Sequence, residues 1–447
     1  MNETLARALE HAETTRVVEV GRGVLADAGR TIGGTLLADG GPVLLVADER
    51  TWAAAGAVVA ERLREVGAEV VEPMIFPGSP TLYAAYEHCV EIKQRLVATG
   101  ALGVAVGSGT LNDLVKLASG ELGQPYAVVG TAASMDGYTG FGAPMTRDGV
   151  KITMPCPAPL AVVFDLDVVA DAPAPMAASG YGDLSAKLPG GADWLIADAV
   201  GVDPLNELAW GLVQGGVREA LSRPAELAAG VPEAFEGLSS GLVLSGLAMQ
   251  VARGTRPASG AEHYFSHLWE LDHLGAELDP PLSHGFKVAI GTLAMCAFYE
   301  RFLGRDVAGV DVEAVVAAWP TWKEIAADIR ATMSGPLVEK GLTETREKYV
   351  DAEGLRRRVE RLVAAWPSLK GELAAQVVPA KELQGMLARA GAPSRPEDIG
   401  LTAAAVKATF PRAMYYRSRY TVLDVARELG WFDDLVEEVF APGGLWT

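Results

Sequence analysis

Cysteine is scarce in this chain. Cys89, Cys156 and Cys296 lie far apart, and no Cys-x-x-Cys pattern occurs. This excludes a disulfide framework and a thiolate metal site. Positive charge is also short: 38 Lys and Arg face 57 Asp and Glu, for a net charge of -19. A phosphate backbone needs a basic face, so no nucleic-acid partner is expected. Local basic residues can still hold a small anion. No uninterrupted apolar run reaches the ~18 residues of a membrane span. The start, Met1-Asn2-Glu3-Thr4-Leu5, is acidic early and leads into no apolar stretch, unlike a signal peptide. There is no internal repeat and no low-complexity tract. A cytoplasmic globular protein is expected. Histidine is rare too, and four of the six fall between His263 and His284.

The chain is long enough, at 447 residues, for two domains with sizeable cores. Residues 3–14 read as a helix, and Arg16 to Val20 as a strand ending at Gly21-Arg22-Gly23. Val43 to Ala47 is a continuous aliphatic run, as in a parallel strand buried on both faces. An Ala-rich helix follows to about Gly67. The next strand is expected within Ala68 to Phe76 and the next helix over Pro80 to Ala98. Leu102 to Val106 reads as a strand, 111–119 as a helix and Tyr126 to Val129 as a strand. This alternation predicts a parallel sheet covered by helices. Gly142 to Pro155 reads as a hairpin with Asp148-Gly149 as its turn, and Ala161 to Leu166 as one more strand. Pro173 and Pro175 mark a break, so the boundary is placed near 170. The fold class is thus an α/β domain over 1–170 and an all-helical domain over 171–447. Helices are expected over 232–253, 259–274 and 284–303. Glu344 to Arg361 resembles one solvated helix face, and Arg395 to Gly443 closes the chain with short helices.

His263 and His267 are four residues apart in a helix-compatible context. Residues i and i+4 share a helix face, so both imidazoles can point at one small volume. His284 follows nearby, whereas His273 suits the helix end. Two buried histidines satisfied by carbonyls would read the same way. A carboxylate would complete an open N/O metal site. Asp183, in Gly180-Tyr181-Gly182-Asp183-Leu184-Ser185-Ala186-Lys187, is a candidate.

Three loops are candidates for a nucleotide. Gly107-Ser108-Gly109-Thr110 lies between a buried strand and a helix, where glycines admit a ligand and free N–H groups face a phosphate. Neither G-x-G-x-x-G nor a P-loop is present. Asp48 ends a strand and can bond a ribose diol while repelling a 2′-phosphate, or simply cap the following helix. Gly130-Thr131-Ala132-Ala133-Ser134-Met135-Asp136-Gly137-Tyr138 sets small hydroxyl residues and a carboxylate after a strand, though a plain turn accounts for the glycine.

Taken together, Gly107 to Asp113, Thr131 to Gly137, Gly182-Asp183, Ser259 to His263 with His267, and His284-Gly285 closely resemble the sn-glycerol-1-phosphate dehydrogenases. These belong to the superfamily of glycerol dehydrogenases, iron-containing alcohol dehydrogenases and dehydroquinate synthases. The match spans residues 16–300. The stretch from Phe410 to Asp424 also looks like the bacterial branch. The resemblance implies a dehydroquinate synthase-like fold with the active site between the domains. It implies Asp183, His263 and His284 as ligands to one divalent ion (Zn, Ni or Fe). It implies Asp136 and His267 as substrate contacts, catalytic together with Asp183. Gly107, Ser108, Gly109, Thr110, Asn112, Thr131 and Ser134 would line NAD(H) or NADP(H), with Asp48 on the ribose favouring NAD. A homo-oligomer is expected. One departure stands out. Four residues after Asp136 the family has serine, and here the position is Gly140. The chain is also longer than typical members.

The chemistry expected is reversible reduction of dihydroxyacetone phosphate to sn-glycerol 1-phosphate. One Asp and two neutral His leave an ion open positions from which to polarise the ketone. The loops would hold the nicotinamide within hydride-transfer distance. His267 can relay the hydroxyl proton, its ordinary pKa being suitable, or act by packing. Lys187 can meet the substrate phosphate or pair with Asp183 at i, i+4. The alternatives are another polyol or phosphorylated polyol, a dehydroquinate synthase-type lyase, or a non-catalytic sugar-phosphate sensor. The lyase would carry Glu where Asp183 stands.

Overall fold

The computed structural model describes residues 3–38, 40–147 and 150–446. Among these residues there are nine strands: β1 (Val17–Gly21), β2 (Pro42–Asp48), β3 (Glu69–Val70), β4 (Met74–Phe76), β5 (Leu102–Gly107), β6 (Tyr126–Gly130), β7 (Ala143–Arg147), β8 (Val150–Met154) and β9 (Ala161–Asp165). Seven form a sheet of order β1-β9-β6-β5-β2-β3, with β4 also on β2. Every pairing in it is parallel. The aliphatic runs explain this, because a parallel sheet is covered on both faces. Alternate residues of β2 serve different cores. Val43, Leu45 and Ala47 pack with Leu25, Ile32 and Val59. Leu44 and Val46 join a second core that runs on through Tyr181, Phe265 and Ile290. The sheet thus packs without interruption onto the helices that follow it.

From β2 the chain moves one way to β3 and β4, then back past β2 to β5, β6 and β9. The order reverses between β2 and β5. Ligands of open α/β sheets bind at such a reversal, outside the strands' carboxyl ends. Asp48 and Gly107, the last residues of β2 and β5, lie there.

After β9, every regular element among the described residues is helical. Three helices carry the site: Ala174–Ser185, Glu262–Leu271 and His284–Leu303. Glycines let them approach closely. A Cβ on Gly182 would lie 2.4 Å from the Gly285 carbonyl oxygen, and one on Gly285 only 1.9 Å from that of Ser179. Likewise, a Cβ on Gly291 would lie 2.4 Å from the Glu262 carbonyl oxygen. Any side chain at these points would force the helices apart.

Several expected elements need correction. The strand expected within 68–76 is two short ones, β3 and β4. The helix expected from Pro80 starts at Tyr86. Glu344 to Arg361 is not one solvated helix. One helix ends at Lys348, and Asp351 caps the next by accepting from the Gly354 N–H at 2.8 Å. Lys348 is buried and paired with Asp424 at 2.7 Å. The hairpin β7-β8 forms as expected. Its expected turn, Asp148-Gly149, lies outside the described residues. No helix among the described residues is long and apolar enough to cross a membrane.

Candidate metal and nucleotide site

Asp183 ends the Ala174–Ser185 helix region, His263 stands in the first turn of Glu262–Leu271, and His284 opens the third helix. Ser283 fixes that opening by accepting from the Phe286 N–H at 3.3 Å. Ligand atoms of Asp183, His263 and His284 all lie within 4.8 Å of one another. His263 Nε2 is 3.5 Å from Asp183 Oδ1. The rings of His263 and His284 are 5.4 Å apart, and His267 lies 5.8 Å from each.

Two glutamates orient these rings. Glu262 Oε1 is 2.9 Å from His263 Nδ1, and Glu270 Oε1 is 2.8 Å from His284 Nδ1. With each Nδ1 protonated toward a carboxylate, each Nε2 presents a lone pair to the shared volume, as ligating histidines do. Sequence reasoning missed both glutamates. Their signal was available: Glu262 precedes His263 and Glu270 follows His267 by three. The electrostatics favour a cation. Burial would raise the Asp183 pKa, yet Lys187, His263 and His284 hold it well below the carboxylate range. Burial would lower that of His263, yet bonds to Asp183 and Glu262 raise it. A carboxylate that stays ionised beside two oriented imidazoles fits one divalent ion.

His267 does not keep the ordinary pKa expected of it. Burial lowers it well below the usual value, Arg417 and the neighbouring histidines add to this, and Glu270 only partly opposes them. The ring is neutral, and its buried Nδ1 has no hydrogen-bond partner.

Lys187 takes the pairing reading. Its amine is fully buried, 2.7 Å from Asp136 Oδ2 and 3.3 Å from Asp183 Oδ1, and donates to the Asp183 carbonyl at 3.0 Å. It offers no free face to a phosphate, so the expected phosphate contact is corrected to an internal ion pair. Asp136 joins the two halves of the site. Its N–H donates to Asp183 Oδ2 at 2.9 Å, and its own Oδ2 accepts from Ser245 Oγ at 2.8 Å. Ser245 was not anticipated, as it is 109 residues away in sequence.

On the nucleotide side, the helix Gly109–Glu121 starts just after Ser108, whose side chain makes no cap hydrogen bond. Its first N–H groups are therefore available to an anion. The Thr131 N–H donates to the Gly107 carbonyl at 3.1 Å, joining the loops after β5 and β6. Ser134 Oγ lies 3.1 Å from Tyr138 Oη and is partly exposed. Asp48 acts as a helix cap, accepting from the Thr51 N–H at 2.8 Å through Oδ1. Asn112 is corrected from a cofactor contact to a buried brace: it accepts from Tyr126 Oη at 3.0 Å. Gly140 is buried, and a Cβ there would meet the Met249 methyl at 2.8 Å. A serine would have to displace that side chain.

A parallel sheet with a glycine loop at its switch point, joined to helices bearing an Asp-His-His cluster, defines the class of metal-site dehydrogenases. Residues 35–173 match the iron-containing alcohol dehydrogenase family. The sequence is 32% identical to the glycerol-1-phosphate dehydrogenase [NAD(P)+] of Bacillus licheniformis, over 69% of this chain and 77% of that protein. Identity to the enzyme of the same name from Halalkalibacterium halodurans is 35%, over 58% of this chain and 65% of the relative. On these similarities the chain belongs to the glycerol-1-phosphate dehydrogenase family. The fold agrees with solved structures at low identity. Glycerol dehydrogenase from Schizosaccharomyces pombe superposes with a TM-score of 0.59 at 16% identity, covering 97% of this chain and 92% of that one. A probable glycerol dehydrogenase from Sinorhizobium meliloti gives 0.58 at 16%, covering 95% and 98%.

Proposed function

We propose that the protein is an NAD(P)H-linked oxidoreductase that reversibly reduces dihydroxyacetone phosphate to sn-glycerol 1-phosphate. Residues 1–170 form its nucleotide domain and 171–447 its metal- and substrate-binding domain. The observation that carries the reading is the Asp183, His263 and His284 cluster, oriented by Glu262 and Glu270 and bonded to the loop at Asp136. A divalent ion bound there would polarise the substrate carbonyl, and a bound nicotinamide would supply the hydride.

The chain's own residues do the rest. Asp183, His263 and His284 would hold the ion. Lys187 offsets the charge of Asp183 and Asp136 and keeps both carboxylates in place. Asp136 and His267 orient the substrate. A neutral His267, its Nδ1 buried without a partner, can meet the C2 hydroxyl through Nε2. Gly107, Ser108, Gly109, Thr110, Thr131 and Ser134 seat the dinucleotide. Asp48, with one oxygen committed to its cap, turns the other to the adenosine ribose, which favours NAD over NADP. The N/O donor set accepts Zn, Ni or Fe. The reading includes a homo-oligomer in the cytoplasm.

The test follows NADH absorbance with dihydroxyacetone phosphate, before chelation, after it, and after adding back Zn, Ni or Fe. Oxidation restored by one metal, with little turnover of dihydroxyacetone, is expected. No oxidation under any metal would overturn the reading in favour of the lyase or another polyol.

A further inference from the structure

Pairing Lys187 internally leaves the proposed phosphorylated substrate without its expected cation. The other basic groups around the histidines are mostly committed. Lys287 is buried and donates to the Leu282 carbonyl at 3.1 Å. Lys340 pairs with Glu344 at 3.0 Å. The guanidinium of Arg419 bonds Ser259 Oγ at 2.7 Å and Thr255 Oγ1 at 2.6 Å. Arg417 differs. It makes no ion pair with a carboxylate among the described residues, and its buried Nε has no hydrogen-bond partner.

Arg417 is also held in place. It lies between the helices Ala403–Met414 and Val422–Glu428. On its C-terminal side, the Ser418 N–H donates to Glu344 Oε2 at 2.7 Å, and the Arg419 carbonyl accepts from Tyr264 Oη at 3.2 Å. Tyr264 adjoins His263, so this loop is tied to the metal-ligand helix. On its N-terminal side, the Tyr416 ring lies 6.0 Å from the His267 ring. The Arg417 guanidinium carbon lies 5.7 Å from the Tyr416 centroid. Neighbouring rings thus lead from His284 through His267 to Tyr416, which hydrogen-bonds the Arg417 guanidinium, a group with no carboxylate partner among the described residues.

His267, Glu270 and His284 also bring ligand atoms within 4.8 Å of one another. A second cation there would face the charge of Arg417, whereas an anion beyond His267 would be attracted by it. An arginine fork fits phosphate with two parallel hydrogen bonds. We propose that Arg417 binds the phosphate of the substrate and sets the preference for a phosphorylated ketone. This rests on the function proposed above and names the residue that reads its substrate.

The test compares the metal-loaded enzyme with Arg417→Gln and Arg417→Lys. The readout is the ratio of kcat/KM for dihydroxyacetone phosphate to that for dihydroxyacetone. Losing a charge-assisted phosphate contact should lower the ratio about a hundredfold in Arg417→Gln. The loss should be about tenfold in Arg417→Lys, which keeps charge without the fork. The two variants give independent readings, so a misfolded glutamine variant leaves the lysine variant to decide. A ratio that holds within about threefold in the folded variants overturns the assignment. Calorimetric titration with inorganic phosphate separates the two ideas. If the parent enzyme ignores dihydroxyacetone phosphate, the functional reading fails. Arg417 then stands if phosphate binds the parent and not the variants, and falls otherwise.

Discussion

The helical half and the sheet half of this site are built differently. In the helical half the three candidate metal ligands already have partners: Asp183 with Lys187 and the Asp136 N–H, His263 with Glu262, and His284 with Glu270. In the sheet half, the first turn after Ser108 lacks a side-chain cap, and Asp48 commits one oxygen to its own helix. A metal centre needs donors fixed before the ion arrives, because misplaced ligands cost affinity directly. A phosphate site at a helix N-terminus needs free N–H groups and little else. The preorganised half should therefore break sharply under substitution, and the open half should bend.

The largest effect is expected from Asp183→Ala. It removes a ligand and leaves Lys187 buried with one partner fewer, so metal and activity should fall together, by about a thousandfold in rate. Metal analysis beside the NADH assay checks this. A metal-free variant with full activity would sink the site assignment.

Asp193 sharpens the comparison through pH. It anchors the start of the His263 helix by accepting from the Ala261 N–H at 2.8 Å, and it accepts from Tyr299 Oη at 2.6 Å. Burial first, then the nearby Glu262 charge, push its carboxyl up to about 6. The unfolded chain releases that proton near the usual ~3.9. Between these values the native state binds more protons than the unfolded state, so stability falls as pH rises. A loss on the order of 2–3 kcal/mol across that window is expected from this group. Denaturant melts at pH 4 and pH 6.5 on the parent and on Asp193→Asn measure it. The same pH slope in both proteins would remove Asp193 as its source.

Glu270→Gln should weaken metal binding by about tenfold to a hundredfold without abolishing it. Competition with a chromophoric chelator gives the number, and an unchanged affinity would make Glu270 a packing residue only. The smallest effect belongs to the open half. Asp48→Asn keeps a cap acceptor but removes the charge, so melting should shift little while NADPH use rises several-fold relative to NADH. Asp48→Ala should cost about 1 kcal/mol in stability as well. An unchanged coenzyme ratio in both would leave Asp48 as a cap alone.

Much of this architecture was legible beforehand. Val43 to Ala47 and Leu102 to Val106 are too uniformly aliphatic for anything but strands covered twice, and they occupy the centre of the sheet. The His263 and His267 pair was legible because histidine is rare and its spacing is helical, whereas Asp183 and His284 joined His263 as expected ligands through the resemblance to the family. Partners across long separations were not legible. Lys187 could be read as a phosphate ligand until Asp136, 51 positions earlier, was found 2.7 Å away. Asn112 sits in a motif that looks nucleotide-facing, yet Tyr126 and the sheet claim its side chain. Glu344 to Arg361 appears solvated in sequence because charge normally means exposure. Here Lys348 and Arg358 are drawn inward by Asp424 and Glu428.

By itself, the sequence determined most of the strands and the long helices, and a histidine pair able to face one metal. These follow from local periodicity and residue chemistry. Only the tertiary structure decided which charges are spent on one another and which remain for a ligand. That choice separates Lys187 from Arg417. It depends on distances between residues far apart in the chain, set when glycine contacts bring three helices together over the ends of the sheet.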